Sequence, residues 1–180
     1  MKRLFVIALG WLLCGPAHAE APFTLNGRIA IRQGEQAYHG TLYWRHSARS
    51  DALTLTGPLG QGAAELRRDG NTAVLQLPDG QRHEAATLEA LATRLFGAAL
   101  PITALPDWIR GIAPDATLDA QQRPLLLVLP DAWTVEWLRY GDDGRPQLLQ
   151  LESPEVGVRL RIDNWADSAD ENITDHKALP

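Results

Sequence analysis

The residues of this chain that could do acid–base or metal chemistry are its histidines, and their spacing assembles no site. His39, His46, His83 and His176 are scattered along the sequence. His39 and His46 lie seven positions apart on a predicted strand, so their side chains point to opposite faces and cannot chelate one metal together. We expect these histidines to be solvated surface side chains.

Other patterns that signal catalysis or metal binding are missing from the sequence. It contains no Gly-x-Ser-x-Gly elbow, no phosphate-binding loop and no His-Glu-x-x-His. The carboxylates of Asp163, Asp167, Asp170 and Glu171 lack the glycine and the spacing of a calcium loop. We therefore predict no catalytic residue, no bound metal and no cofactor.

A leucine in a glycine-rich turn is the candidate for a different kind of chemistry, contact with an apolar phase. The turn is Gly57-Pro58-Leu59-Gly60-Gln-Gly62, between two predicted strands, and such loops lie on the surface. An exposed leucine gives up roughly 1.5–3 kcal/mol of burial free energy unless something apolar receives it. A membrane, a lipid or a partner could do so; alternatively the side chain folds back on the domain.

The N-terminus has the pattern of a secretory signal peptide over residues 1–19. A basic start, Met1-Lys2-Arg3, precedes an apolar run over 4–13, and Ala17-His18-Ala19 fits the small-residue cleavage rule. The apolar run is too short to span the ~30 Å hydrocarbon core of a bilayer. The sequence therefore predicts export and a mature chain that begins at Glu20.

Cys14, the only cysteine, offers an alternative way to process this segment. Bacterial lipoproteins are cut just before a cysteine that becomes acylated, but the preceding residue is usually small and here it is Leu13. Cleavage after Ala19 would leave a mature chain with no thiol and no disulfide. We favour that cleavage and keep lipidation of Cys14 as the alternative.

Length and charge favour one acidic domain. The 180 residues carry a formal net charge of −5, which becomes −7 when Lys2 and Arg3 leave with the leader. Nucleic-acid binding needs a basic face, so it is disfavoured. Docking on anionic lipid by net charge is disfavoured as well. We predict a single domain over 20–165, followed by a polar, aperiodic and disordered tail over 166–180.

Hydrophobic periodicity predicts mostly strands with helices in the middle. Period-two alternation over 23–32 and 38–44 indicates a hairpin, and further strands follow on both sides of the Leu59 turn. Helical spacing begins at Leu88 after the capping residue Thr87, and a short second helix holds Trp108. The leucine-rich run over 125–129 predicts a strand covered on both faces.

This order predicts an α+β fold in which short helices lie on one face of a curved antiparallel sheet. Such a sheet can enclose an apolar pocket between its concave face and the helices. Tryptophans are abundant, with five after the leader, and could line that pocket. In the alternative they only fill a tight core.

Five segments stand in order along the chain: Asn26-Gly-Arg-Ile-Ala-Ile31, Tyr43-Trp44, the Leu53–Leu66 strand–loop–strand, Leu105-Pro-Asp-Trp-Ile-Arg-Gly111 with Pro114-Asp-Ala116, and Arg159-Leu-Arg-Ile-Asp-Asn-Trp165. In this order and at this spacing they resemble the LolB family of Gram-negative outer membrane lipoprotein receptors. The resemblance covers roughly residues 23–165. It implies an unclosed antiparallel β-barrel covered by short helices, with an apolar cavity inside.

The resemblance also implies a function without covalent chemistry. Family members accept lipoproteins from the periplasmic carrier LolA and insert them into the outer membrane. The membrane-insertion loop would be Gly57, Pro58, Leu59 and Gly60. The candidates for the cavity lining are apolar residues of the predicted strands and helices: Ile29, Leu42, Trp44, Leu55, Leu91, Leu95, Trp108, Ile109, Leu127, Trp137 and Leu160.

The expected partners are a LolA-type carrier, lipoprotein acyl chains and the outer membrane, with the protein acting as a monomer. It would lie on the periplasmic face of that membrane, lipid-anchored through Cys14 or peripheral, or else in the soluble periplasm after cleavage following Ala19. Two other functions stay open: a soluble LolA-like carrier, and a periplasmic enzyme whose site the sequence does not assemble.

Overall fold

The computed structural model describes residues 21–57, 62–96, 100–130 and 132–167. The predicted leader, Cys14 and most of the predicted tail lie outside these ranges. Eleven strands form one sheet: β1 Phe23–Gln33, β2 Gln36–His46, β3 Ser50–Thr56, β4 Ala63–Asp69, β5 Thr72–Gln76, β6 Arg82–Ala85, β7 Thr117–Leu118, β8 Pro124–Val128, β9 Thr134–Tyr140, β10 Pro146–Glu152 and β11 Val156–Ala166.

Helices interrupt the strands once, as predicted. Helix α1 spans Leu88–Phe96, a 3-10 turn spans Ile102–Ala104, and α2 spans Leu105–Trp108. The side-chain oxygen of Thr87 accepts a hydrogen bond from the Ala90 amide at 3.0 Å, which caps α1. The predicted α+β class, a curved antiparallel sheet with short helices, is confirmed.

The sheet order is β6-β5-β4-β3-β2-β1-β11-β10-β9-β8-β7, and every paired strand is antiparallel. All neighbours are consecutive in the chain except β1 and β11. These two pair from Thr24 opposite Ala166 to Gln33 opposite Val156, with a register shift at Asn26/Gly27. The pairing of the first strand with the last therefore joins two meanders, β1–β6 and β7–β11, into one sheet.

Alternation along the strands divides the sheet into a core face and an outer face. The main core cluster combines the core face of β1, β2 and β8–β11 with Trp108 and Ile109 at α2. A second cluster joins Leu88 and Leu91 of α1 to β5, and Ile102 packs against both clusters. The indole nitrogen of Trp137 donates to the Trp108 carbonyl at 2.9 Å, which fixes α2 against β9.

Strand β8 is not covered on both faces, and that prediction is wrong. Leu127 is buried, but Leu125 is 49% exposed and Val128 66% exposed. The reason is position: on one side β8 pairs only with the two-residue β7, at the edge of the sheet. A leucine-rich run specifies a strand, but burial on two faces needs a second layer that this edge lacks.

Candidate functional site

Most predicted cavity residues lie on the core face and pack tightly there. Leu42, Trp44, Trp108, Ile109, Leu127, Trp137 and Leu160 are buried in the main cluster, and Leu91 is buried in the second. Ile29 and Leu55 are partly buried against the main cluster. The Leu95 side chain lies outside the described part of the structure. The four buried tryptophans, Trp44, Trp108, Trp133 and Trp137, thus fill the core.

Partly exposed apolar side chains lie beside that core, on the middle strands. Ile31 of β1 pairs with Tyr38 of β2 on one side and with Val158 of β11 on the other. Ile29 lies two residues earlier in β1, on the same face of the sheet. Ile29, Ile31 and Val158 are partly buried, and Tyr38 is 39% exposed. We call Ile29, Ile31, Tyr38 and Val158 the apolar strip.

Gly40 shapes this strip. A Cβ at position 40 would come within 2.5 Å of the Thr56 carbonyl oxygen and 2.8 Å of the Tyr38 hydroxyl. Glycine therefore lets the phenol lie over β2, and burial raises the pKa of Tyr38. Ile31, Tyr38 and Val158 are not among the site residues predicted from sequence, although each continues the alternation of its strand.

The predicted membrane loop connects β3 to β4 at the same end of the sheet as the strip. The last register pair before the loop is Thr56 with Ala63, and Gly57 is half-buried. Pro58, Leu59 and Gly60 lie outside the described residues. Thr56 of β3 pairs with Thr41 of β2. The strip residue Tyr38 lies three positions from Thr41 along β2, toward the end of the sheet where the loop begins. The chain therefore places the predicted loop and the accessible apolar surface at one end.

A buried polar cluster lies toward the opposite end. The Asp51 carboxylate lies 2.7 Å from His46 Nδ1 and accepts hydrogen bonds from Trp44 Nε1 at 2.9 Å and Arg68 Nε at 2.6 Å. Burial acts to raise the pKa of Asp51, but the hydrogen bonds from His46, Trp44 and Arg68 outweigh it and lower that pKa. Phe23 stacks on the imidazole with ring centroids 4.8 Å apart.

This cluster corrects the prediction that the histidines are solvated. His46 is 2% exposed and Asp51 4% exposed, whereas His39 lies on the outer face, so the two histidines do point to opposite faces as expected. His46 follows Leu42 and Trp44 at period two, which is the sequence signal that it belongs to the core. A histidine–aspartate pair suits acid–base chemistry, but here it is closed to substrate and joins three strands instead.

The described part of the chain contains neither a metal site nor a membrane-spanning helix. Among residues 21–57, 62–96, 100–130 and 132–167, no three histidine, cysteine or carboxylate side chains are grouped so that they could hold a metal. No helix in those ranges is long and apolar enough to cross a membrane. The described residues define a class of protein: a curved antiparallel sheet with a partly exposed apolar strip toward the end where β3 leads into β4.

Comparison with known proteins identifies the family. The family model described as "Outer membrane lipoprotein LolB" matches residues 21–165. Outer-membrane lipoprotein LolB of Thiobacillus denitrificans is 34% identical over 92% of this chain and 98% of its own length. The LolB of an Azoarcus strain is 36% identical over 81% of this chain and 78% of its own length. The chain belongs to the LolB family, and the resemblance seen in the sequence is confirmed.

Membership in this family supports a lipoprotein receptor function in the lipoprotein localisation (Lol) pathway at the outer membrane. A solved LolA superfamily protein from Nitrosomonas europaea is 12% identical, with a TM-score of 0.46 over 86% of this chain and 90% of that chain. That likeness is too distant to carry an argument.

Proposed function

We propose that this chain accepts lipoproteins from a LolA-type periplasmic carrier, holds their acyl chains against its core face, and releases them into the outer membrane. No covalent step and no cofactor take part, and the protein acts as a monomer on the periplasmic face of that membrane. The observation that carries the proposal is the apolar strip at the loop end of the sheet.

Burial of acyl chains supplies the driving force. Each methylene removed from water is worth about 0.8 kcal/mol, so a lipoprotein in the periplasm needs an apolar surface throughout its passage. An acceptor must hold the chains more tightly than the carrier and less tightly than the bilayer. Half-buried side chains such as Ile31 and Val158 suit that intermediate strength, because a ligand covers them without opening the packed core.

Leu59 is proposed as the membrane-contacting tip of the loop that begins at Gly57. One leucine contributes roughly 1.5–3 kcal/mol when it enters an apolar phase. That is enough to bias contact with a bilayer and too little to anchor the protein permanently. The loop emerges beside the strip, so a released acyl chain would have a short path to the membrane.

The decisive test is transfer of a lipoprotein into liposomes by a Leu59→Glu variant. We expect the variant to fold and to receive cargo from the carrier, but to lose transfer into the bilayer, because a charged tip does not enter an apolar phase. Leu118→Glu is the matched control, since Leu118 is 47% exposed on the distant edge strand β7. Normal transfer by Leu59→Glu, or equal loss in both variants, rules out the tip.

Two alternatives have distinguishable outcomes. A soluble LolA-like carrier would deliver cargo to a second acceptor without itself needing Leu59. A periplasmic enzyme would have convergent polar groups in its pocket, whereas the accessible core face here presents Ile29, Ile31 and Val158. Intact mass of the processed chain decides between acylated Cys14 and an N-terminus at Glu20, and thereby between a lipid-anchored and a peripheral protein.

A further inference from the structure

The outer face of the central strands carries a groove lined by basic side chains. Two adjoining clefts share Ala30, His39 and Arg159, and together they run along β1 between β2 and β11. Ala30 and Leu148 give the groove apolar ground. Its cationic lining consists of Arg28, Arg32, Arg159 and Arg161, and with His39 these residues define what we call the arginine groove.

Positive charge exceeds negative charge within this groove. The Asp163 carboxylate forms ion pairs with both Arg28 and Arg161, each at 3.0 Å, and Glu152 pairs with Arg32 at 2.9 Å. The Arg159 guanidinium instead donates to the neutral amide oxygen of Gln150 at 3.0 Å. Among the described residues no carboxylate lies within ion-pair distance of Arg159, so its charge is held in place and left uncompensated.

The arginine groove lies in register with the base of the predicted membrane loop. Thr56, the last residue of β3, pairs with Thr41, which pairs with Arg28, which pairs with Arg161. Adjacent strands are about 4.8 Å apart, so this row spans roughly 14 Å. A bilayer surface contacted by the loop would therefore lie within reach of the arginines.

Net charge does not decide what such a groove binds. Screening at physiological salt limits the reach of exposed charges to about 8 Å, so acidic residues elsewhere on the chain contribute little inside it. The net charge of −5 of the whole chain therefore says little about the charge of this local surface. Guanidinium groups match phosphate oxygens in geometry and charge, and the apolar ground accommodates the glycerol carbons beside them.

We propose that the arginine groove binds the phosphate headgroups of anionic phospholipids at the membrane surface next to the loop. This inference rests on the proposed function and adds the lipid class that the acceptor contacts. An anionic headgroup would hold the outer face of β1, β2 and β11 against the bilayer while the loop inserts. An acidic surface of a partner protein is the competing occupant, and the experiment separates the two.

The experiment measures binding of the exported full chain to vesicles without any lipoprotein cargo. All proteins carry Cys14→Ala, so that no acyl group can tether them. One vesicle type is phosphatidylcholine alone, and the other is equal parts phosphatidylcholine and phosphatidylglycerol, both at physiological salt. We expect stronger binding to the anionic vesicles, about fivefold weaker anionic binding by Arg159→Gln, and unchanged binding to neutral vesicles.

Arg82→Gln is the matched control for loss of one positive charge. Arg82 is similarly exposed and pairs with Glu84 at 3.1 Å, but it lies on the far edge strand β6. The proposal is overturned by equal wild-type binding to both vesicle types, or by equal losses in Arg82→Gln and Arg159→Gln. It is also overturned if Arg159→Gln leaves vesicle binding intact and weakens only capture of the carrier, which would assign the groove to a protein partner.

The same variants separate this proposal from the proposed function. If Arg159→Gln binds vesicles normally while Leu59→Glu still blocks lipoprotein transfer, the headgroup site is wrong and the acceptor function stands. If Leu59→Glu transfers cargo normally while Arg159→Gln loses anionic vesicles, the groove is a lipid site without a role for the leucine tip. Melting curves of each variant confirm that the fold is retained.

Discussion

At the scale of single residues, the Asp51 carboxylate is the centre of the buried polar cluster in this sheet. It is shared by Trp44 and His46 on β2 and by Arg68 on β4. Removing one partner from a buried charged group leaves the others without compensation in a low-dielectric interior. The cluster therefore makes the pairing of β2, β3 and β4 specific, because a slip in register would separate the charges.

Asp51→Asn is expected to lower the free energy of unfolding by about 3–5 kcal/mol, because Arg68 loses its buried counter-charge. The exposed Asp69, on β4, provides the control variant Asp69→Asn. Urea unfolding at neutral pH measures both. A loss below about 1 kcal/mol in Asp51→Asn, or similar losses in the two variants, would show that the cluster is not a stabilising unit.

The same carboxylate predicts the direction of the pH dependence. Folding lowers the pKa of Asp51, so its stabilisation is present above the unfolded value of about 3.9 and is lost as the pH falls from there through the lower pKa of the folded state. The difference in stability between the wild-type chain and Asp51→Asn should therefore shrink on acidification. Urea midpoints of both proteins along a pH series measure it, and a constant difference would contradict the assignment.

At the scale of elements, the pairing of β1 with β11 depends on one close approach. A Cβ at position 27 would lie 2.3 Å from the Arg161 carbonyl oxygen, beside the register shift in β1. Gly157, near the other end of the same strand pair, differs in kind. There a Cβ would meet the Glu152 carboxylate at 2.6 Å, the far end of a flexible side chain.

Gly27→Ala should therefore lower the free energy of unfolding by about 1–3 kcal/mol, because the backbone of β1 or β11 must move to admit the methyl group. Gly157→Ala should cost much less, since Glu152 can rotate away. Thermal melts of the two variants test this contrast directly. Equal melting temperatures would mean that the strand pair yields as easily as a side chain does.

Local elements were predictable from this sequence because their signals are local. The alternation in β1 and β2 and the Thr87 cap each need only a few neighbouring residues. The pairing of β1 with β11 joins residues more than a hundred positions apart, and nothing in either strand specifies that partner. The exposure of β8 likewise depends on which strand ends the sheet.

The candidate site was only partly predictable for a related reason. The residues that carry the family resemblance include Gly27, Trp44, Trp108 and Trp165, and the structure uses them for packing. Resemblance through core residues identifies a fold more directly than it identifies a ligand surface. The role of Leu59 stays a prediction, as do the single domain over 20–165, the tail and the lipidation of Cys14.

At the scale of the whole molecule, the apolar strip, the loop and the arginine groove meet at one end of the sheet. The strip lies on the core face, the groove lies on the outer face, and the loop leaves the row that includes Thr56. The polar cluster around Asp51 lies toward the other end. The molecule is thereby divided into a stabilised end and an end that presents its binding surfaces.

Acyl binding should follow this division. Ile31→Gln is expected to weaken binding of a fluorescent fatty-acyl probe several-fold, because it places an amide in the path of the chain. Leu138→Gln is the control, since Leu138 is 43% exposed and lies outside the strip. Probe binding should also raise the melting temperature of the wild-type chain by linkage. Failure of the wild-type chain to bind the probe would rule out the acyl site.

The adjacency of β1 and β11 also determines when this protein can fold. One edge of β1 pairs with β11, the last strand of the described chain. That edge therefore stays unpaired until residues 156–166 have been made. Long-range pairings of this kind form slowly and late. A chain still emerging from a ribosome or a translocation channel would therefore keep this edge of β1 unpaired until β11 has emerged.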